Sequence, residues 1–293
     1  MDLVSGYAIF DWINGWANPY CDACFRAATD LGYHTFYYLA VAPLFWVVDR
    51  RRAGVLFLLI LASGYLNTVA KLAFHTPRPD PHLARVLDMR PYQSGSNAFP
   101  SGHAQNAVVF WGYAAQWVGR GWFSLLAAVL VAVISFSRLY LAVHFPIDII
   151  GGLVIGLTIM LGLPRILERW SRSDFALNRG LAVATVVGTL VLTFATADAT
   201  LAAISGSLIG FLTGAVWLPQ VPLDFGTPAR ATLAAGIGVA LLVAASAVFE
   251  TLPHAPIALY LQVVAMWVLA LWIYPQLLYR LWLARQTACV ELG

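Results

Sequence analysis

Three short polar blocks interrupt an otherwise apolar chain: KLAFHTPRP at residues 71–79, FPSGHAQN at 99–106 and SRLYLAVHFPID at 137–148. Among them they hold Lys71, Arg78, Ser101, Gly102, His103, Arg138, His144 and Asp148. Such a set could grip a phosphate and attack it through a histidine. Fixed cations and amides stabilise charge developing on phosphoryl oxygens, and imidazoles can serve as nucleophile, acid and base. Lys71 is also the sole lysine of the sequence, at a position where a cation is expensive.

Each block has its own logic and its own plainer reading. FPSGH opens a helix: Ser101 is suited to the N-cap, and the Gly102 and His103 amides have no intrahelical partners. Free N–H groups and the helix dipole make such a start an anion site, although a helix start with an incidental histidine describes the block equally well. KLAFHTPRP places Lys71 at the membrane end of a helix and Arg78 in a loop held by Pro77 and Pro79. Alone, it also fits a snorkelling lysine and a loop arginine. SRLYLAVHFPID is the most telling, because Arg138 falls inside an apolar span, where charge is costly and marks function. His144 and Asp148 stand four apart across a proline hinge, so the carboxylate can bond one ring nitrogen and leave the other as nucleophile or base. A structural pairing of Arg138 with Asp148 is the alternative. Together, the three cations and two histidines are hard to treat as separate accidents. There is no HExxH and no carboxylate cluster, and Asp80 and Asp88 lack partners at ligand spacing. The site is expected to work without a metal or other cofactor.

The elements that carry the blocks are membrane spans. The chain has 293 residues, 60% hydrophobic and only 11% charged, far below the roughly 25% charged content of a soluble domain. Apolar runs near the length of a bilayer crossing recur throughout, at 33–48, 53–74, 101–119, 122–143, 147–166, 181–197, 200–218, 231–249 and 257–281, about nine in all. Residues 1–30 mix aspartates with aromatics and read as an amphipathic segment lying in the interface. Residues 31–170 read as a catalytic transmembrane core and 180–285 as additional transmembrane helices of unknown role. The net charge of +3 comes without a basic tract, which excludes nucleic acid as a partner. Cys21 and Cys24 form a lone CxxC, read as small buried residues. The N-terminus has no basic stretch ahead of its apolar part, so no cleaved signal peptide is expected.

Arginine sets the orientation. Arg50, Arg51, Arg52, Arg120, Arg165, Arg169, Arg172, Arg179, Arg230, Arg280 and Arg285 fall on one set of alternate connections, expected to be cytoplasmic. All three blocks fall on the other face, because they sit at the ends of the second and fourth spans and the start of the third.

The blocks match KxxxxxxRP, PSGH and SRxxxxxHxxxD without departure. In this the chain resembles the type 2 phosphatidic acid phosphatase superfamily, which includes bacterial acid phosphatases, glucose-6-phosphatase and vanadium haloperoxidases. The stretch GYHTFYYLAVAPLFWVVDRR ahead of the first block is further similar to the sphingosine-1-phosphate phosphatase and glucose-6-phosphatase branches. The resemblance implies an all-α polytopic bundle with extra C-terminal helices. It implies double displacement, with His144 attacking phosphorus, Asp148 orienting it, and His103 protonating the leaving alkoxide and later activating water. Lys71, Arg78, Arg138, Ser101 and the Gly102 amide would bind the phosphoryl oxygens. The expected substrate is a lipid phosphate: phosphatidic acid, phosphatidylglycerol phosphate, a sphingoid-base phosphate, or a polyprenyl phosphate or pyrophosphate. The expected setting is a bacterial inner membrane, with the site facing the periplasm. A phosphotransferase with the same residues, or a lipid transporter or scramblase, are the alternatives.

Overall fold

The computed structural model describes residues 3–83, 97–170, 179–196, 198–217, 221, 223–252 and 255–280. Among these residues every regular element is helical. Asp88, Arg172, Arg285 and the end of the last apolar run lie outside them. The chain divides into two compact units, one of residues 1–37 with 62–166, the other of 38–61 with 167–293.

The N-terminal segment forms two helices, α1 (Leu3–Asn14) and α2 (Pro19–Asp30). Local chemistry starts α2: the Asn18 side chain accepts from the amides of Tyr20 and Cys21, and Pro19 sits at the first turn. The nine apolar runs then all appear as helices. They are α3 (His34–Val47), α4 (Arg50–Phe74), α5 (Gly102–Val118), α6 (Gly121–Tyr140), α7 (Pro146–Trp170), α8 (Arg179–Thr196), α9 (Ala199–Phe211), α10 (Pro228–Glu250) and α11 (Pro256–Val268), the last extended by a π-helical turn and α12 (Tyr274–Leu278). Five stretches among the described residues are long and apolar enough to cross a bilayer: Arg50–Phe74, Gly121–Tyr140, Pro146–Arg169, Pro228–Phe249 and Ile257–Leu278. The chain is thus an all-helical, polytopic membrane protein. α3 and α5, with 14 and 17 residues, are shorter, and a helix of 17 residues rises only about 25 Å.

In the first unit, two features bring the polar blocks together. α5 ends on Gly119, whose positive φ of 66° allows a left-handed cap, and α6 begins two residues later. α7 lies close on α5 because Gly152 and Gly156, one turn apart, face it. A Cβ on Gly156 would sit 2.6 Å from the Gln105 carbonyl oxygen, so a side chain there would push the two backbones apart. The N-terminal segment contributes to this unit's core. Ile13 packs with Tyr140, Leu141 and Val143, and Phe10 with Ala142 and Phe145, while Trp12 and Tyr20 stay exposed. Cys24 is exposed and Cys21 only half-buried. The expectation of two buried cysteines is therefore corrected: α2 turns the buried Thr29 inward with the half-buried Cys21 and Phe25, which pack on one cluster, and leaves Cys24 outside.

In the second unit, Gly206 and Gly210 of α9 face α11, and the indole Nε1 of Trp46 donates to the Ala270 carbonyl at 2.8 Å.

Candidate active site

The turn between α6 and α7 holds His144. α6 stops at Tyr140, Ala142 takes a positive φ of 52°, and Pro146 starts α7 from a φ already suited to a helix. Asp148 is the third residue of α7, and its Oδ2 reaches back to accept from the Phe145 amide at 2.8 Å. This is the carboxylate half of a capping box. The same oxygen lies 3.3 Å from Nδ1 of His144, so one carboxylate both caps the helix and holds the ring. With Nδ1 donating to Asp148, Nε2 carries the lone pair. That nitrogen is 3.2 Å from Nη1 of Arg78, which also donates to the Val143 carbonyl at 2.8 Å. His144 and Asp148 are 1% and 2% exposed. Burial, and after it Arg78, Arg138, Lys71 and His103, hold the His144 imidazole well below the ordinary histidine range. These influences favour the neutral imidazole, with Arg78 in contact with the ring.

The other predicted residues gather around it. Arg138 is completely buried on α6, a position tolerable for a guanidinium only with polar partners. Its Nη1 donates to the hydroxyl of Thr29 on α2. Lys71, in the last turn of α4, donates through Nζ to the carbonyls of Asn97 at 2.5 Å and Ala98 at 3.4 Å. Asn97 returns a bond to the Lys71 carbonyl at 2.8 Å, fixing the lysine to the strand of chain that enters the second block.

Ser101 stands at the N-cap of α5 with extended backbone angles, but its side chain makes no capping bond. The expectation of a capping hydroxyl is corrected: the Ser101 amide donates to the Asp148 carbonyl at 2.9 Å, which draws the start of α5 towards α7. Its Oγ, like Nε2 of His103, is buried without a hydrogen-bond partner among the described residues. Buried polar atoms are costly when unpaired, and both belong to the helix start that favours an anion. The His103 ring is enclosed by Tyr33, whose ring lies edge-on at 4.6 Å, and by Gly32, where a Cβ would come within 2.6 Å of His103 Cδ2. Among the described residues no three His, Cys, Asp or Glu side chains group as metal ligands.

Sequence reasoning missed two sets of supporting residues. Asn67, one turn before Lys71 on α4, donates to the Pro100 carbonyl at 3.1 Å and to Oε1 of Gln105 at 2.9 Å. Gln105 in turn donates to the Ser63 carbonyl at 2.8 Å. This buried network locks α4 to α5, and therefore Lys71 to Ser101 and His103. The sequence signal was a polar residue four before the lysine on an apolar helix. Gln105→Leu, which removes the side-chain donor to the Ser63 carbonyl and one of the two acceptors of the Asn67 amide, is expected to cost about 1–3 kcal/mol, read as a lowered thermal midpoint in detergent. The second set lies on α2 and includes Thr29.

The geometry can bind an oxyanion against three cations and a helix start, and present one oriented imidazole nitrogen to it. Comparison with known proteins points the same way. Residues 52–172 match the model of the PAP2 superfamily. A lipid phosphate phosphatase delta of Arabidopsis thaliana is 30% identical over 54% of this chain and 41% of its own. A dihydrosphingosine 1-phosphate phosphatase of Schizosaccharomyces pombe is 28% identical over 55% of this chain and 40% of its own. The chain thus spans about two-fifths of the length of the curated relatives it matches. The crystal structure of a transmembrane PAP2 type phosphatidylglycerolphosphate phosphatase from Bacillus subtilis superposes with a TM-score of 0.51, over 58% of this chain and 88% of that one, at 24% identity. That likeness shows the shared fold. The matched residues 52–172 contain all three polar blocks, so the segment that carries the candidate site is also the segment that is similar to the PAP2 superfamily.

Proposed function

We propose that this protein is a metal-independent membrane phosphatase that releases phosphate from a lipid phosphate monoester or pyrophosphate through a phosphohistidine on His144. The observation that carries the reading is the setting of His144: Nδ1 faces Asp148 and Nε2 faces Arg78. In the first step Nε2 attacks phosphorus, the P–O bond to the lipid breaks, and His103 gives its proton to the departing oxygen. In the second, His103 takes a proton from water, the hydroxyl adds to phosphorus, the P–N bond breaks and inorganic phosphate leaves. Lys71, Arg78 and Arg138, with Ser101 and the Gly102 amide, stabilise the charge on the equatorial oxygens.

A lipid substrate follows from position. The blocks meet where α4 and α6 end and α5 and α7 begin, at the ends of spanning helices, so a headgroup held in the bilayer surface can reach them. Relatives named for sphingoid-base phosphates and a fold shared with a phosphatidylglycerolphosphate phosphatase support lipid over soluble esters. The same four helices have arginines at or beside their other ends, at Arg50, Arg120 and Arg169, which supports a site on the periplasmic face of a bacterial inner membrane.

The test is phosphate release by detergent-purified protein in excess chelator, with phosphatidic acid, sphingosine 1-phosphate, undecaprenyl pyrophosphate and glucose 6-phosphate. Release from at least one lipid, unchanged by chelator, supports the reading. Release only with added metal, only from the sugar, or only when a second acceptor is present contradicts it.

A pH profile follows from the depressed His144. The neutral imidazole persists as pH falls through the ordinary histidine range, so the acid limb of kcat/KM set by His144 lies below that range. Removing a neighbouring positive charge raises its pKa, so Arg78→Ala moves that limb to higher pH. Ionisation of the substrate contributes equally to both enzymes, so the displacement between the two profiles reports His144.

A further inference from the structure

We infer that one face of α2, made by Asp22, Phe25 and Thr29, is a positioning strut for Arg138, so the phosphate cradle of this protein includes residues outside the PAP2-matched segment. The inference rests on the proposed phosphatase site and adds to it. Asp22, Phe25 and Thr29 are spaced three and four apart, so they share a helix face, and each meets α6. The Tyr140 hydroxyl donates to Asp22 Oδ1 at 2.6 Å. The Phe25 ring lies 4.3 Å from the Tyr140 ring and 5.4 Å from that of Phe136. Thr29, completely buried, accepts from Nη1 of Arg138. Just beyond α2, Gly32 and Tyr33 pack on His103. The segment that matches the family begins at residue 52, yet residues 22–33 touch two of the groups assigned to phosphate chemistry.

The physical role follows from the shape of guanidinium. Its donors form a planar fork, so fixing one N–H sets the plane and the direction of the rest. A buried arginine on a single helix can rotate about its long side chain. A hydroxyl held on a second helix, itself anchored at Asp22 and Phe25, removes that freedom before substrate arrives. Preorganised donors stabilise a transition state without reorganising during the reaction. Thr29 is therefore a positioning residue, acting through Arg138.

The test uses the full chain with Thr29→Val, which keeps the shape and removes the acceptor, Thr29→Ser, which keeps the acceptor, and Tyr140→Phe, which breaks a second polar tie of α2, that to Asp22, and leaves the Thr29–Arg138 bond in place. Thr29→Ala replaces the valine variant if that does not fold. Orthovanadate, which mimics the five-coordinate phosphoryl group, is the probe of the cradle. Thr29→Val is expected to lower kcat/KM and weaken vanadate inhibition together by about tenfold or more, the scale of one hydrogen bond to a charged group. Thr29→Ser should restore both to near wild type, and Tyr140→Phe should change thermal stability more than vanadate affinity. The inference is overturned if Thr29→Val inhibits as wild type does, if Thr29→Ser fails to rescue, or if Tyr140→Phe loses vanadate affinity to the same degree. If wild type neither releases phosphate nor binds vanadate, the site reading falls and takes the strut with it. An active wild type with an unaffected Thr29→Val sinks the strut alone.

Discussion

His144→Ala is expected to lower phosphate release by a factor on the order of 10⁵–10⁶, the scale seen when the nucleophile of a cooperating catalytic unit is removed. The variant keeps Lys71, Arg78, Arg138 and the start of α5, so it should still bind inorganic phosphate, which needs no bond to the ring. That separation distinguishes a nucleophile from a binding group. Loss of a histidine that only bound substrate would raise KM and weaken phosphate, and would leave kcat largely intact. The measurement is kcat, KM and product inhibition by phosphate on one preparation, with a thermal midpoint to show that the buried turn at residues 141–145 still forms. His144→Gln, closer in volume, serves where alanine destabilises that turn.

Asp148→Asn should cost between about 10² and 10⁴ in kcat. The two duties of Oδ2 make this substitution informative. An asparagine oxygen can still accept from the Phe145 amide, so α7 keeps its cap. What it loses is the negative charge beside Nδ1, which favours the donor tautomer at Nδ1 and stabilises the ring as it becomes cationic on attack. Asp148→Ala loses both duties, and the missing cap adds about 0.5–2 kcal/mol of instability. A thermal midpoint near wild type for asparagine and lower for alanine, with kcat strongly reduced in both, would separate the roles. An asparagine variant with undiminished kcat would show that Asp148 serves the helix alone.

The membrane architecture and the three blocks were legible because each depends on local order. A bilayer demands long apolar runs, and each of the nine contains a helix among the described residues. His144 and Asp148 were readable as a pair because the proline between them fixes the turn that joins them. Other features depend on which helix faces meet, and no short stretch encodes that. Thr29 is 109 positions from Arg138, and nothing around it marks it as a partner for a cation. Asn67 and Gln105 were similarly silent, though Asn67 stands one turn from Lys71 on an otherwise apolar helix. Ser101 illustrates the converse: its local sequence invites a capping hydroxyl, but the site leaves Oγ buried and uncapped.

Trapping the covalent intermediate is the decisive experiment. His103→Ala incubated with a ³²P-labelled aryl phosphate, whose leaving group needs no proton, should accumulate enzyme-bound phosphate, because attack proceeds while water is no longer activated. After an alkaline quench the label should map to the peptide containing His144, survive alkali and be lost in acid, as a phosphoramidate is. The His103→Ala, His144→Ala double variant should carry none. Phosphate release without any trapped label, or label on a residue other than His144, would contradict the phosphohistidine route and reassign the turn between α6 and α7 to substrate binding.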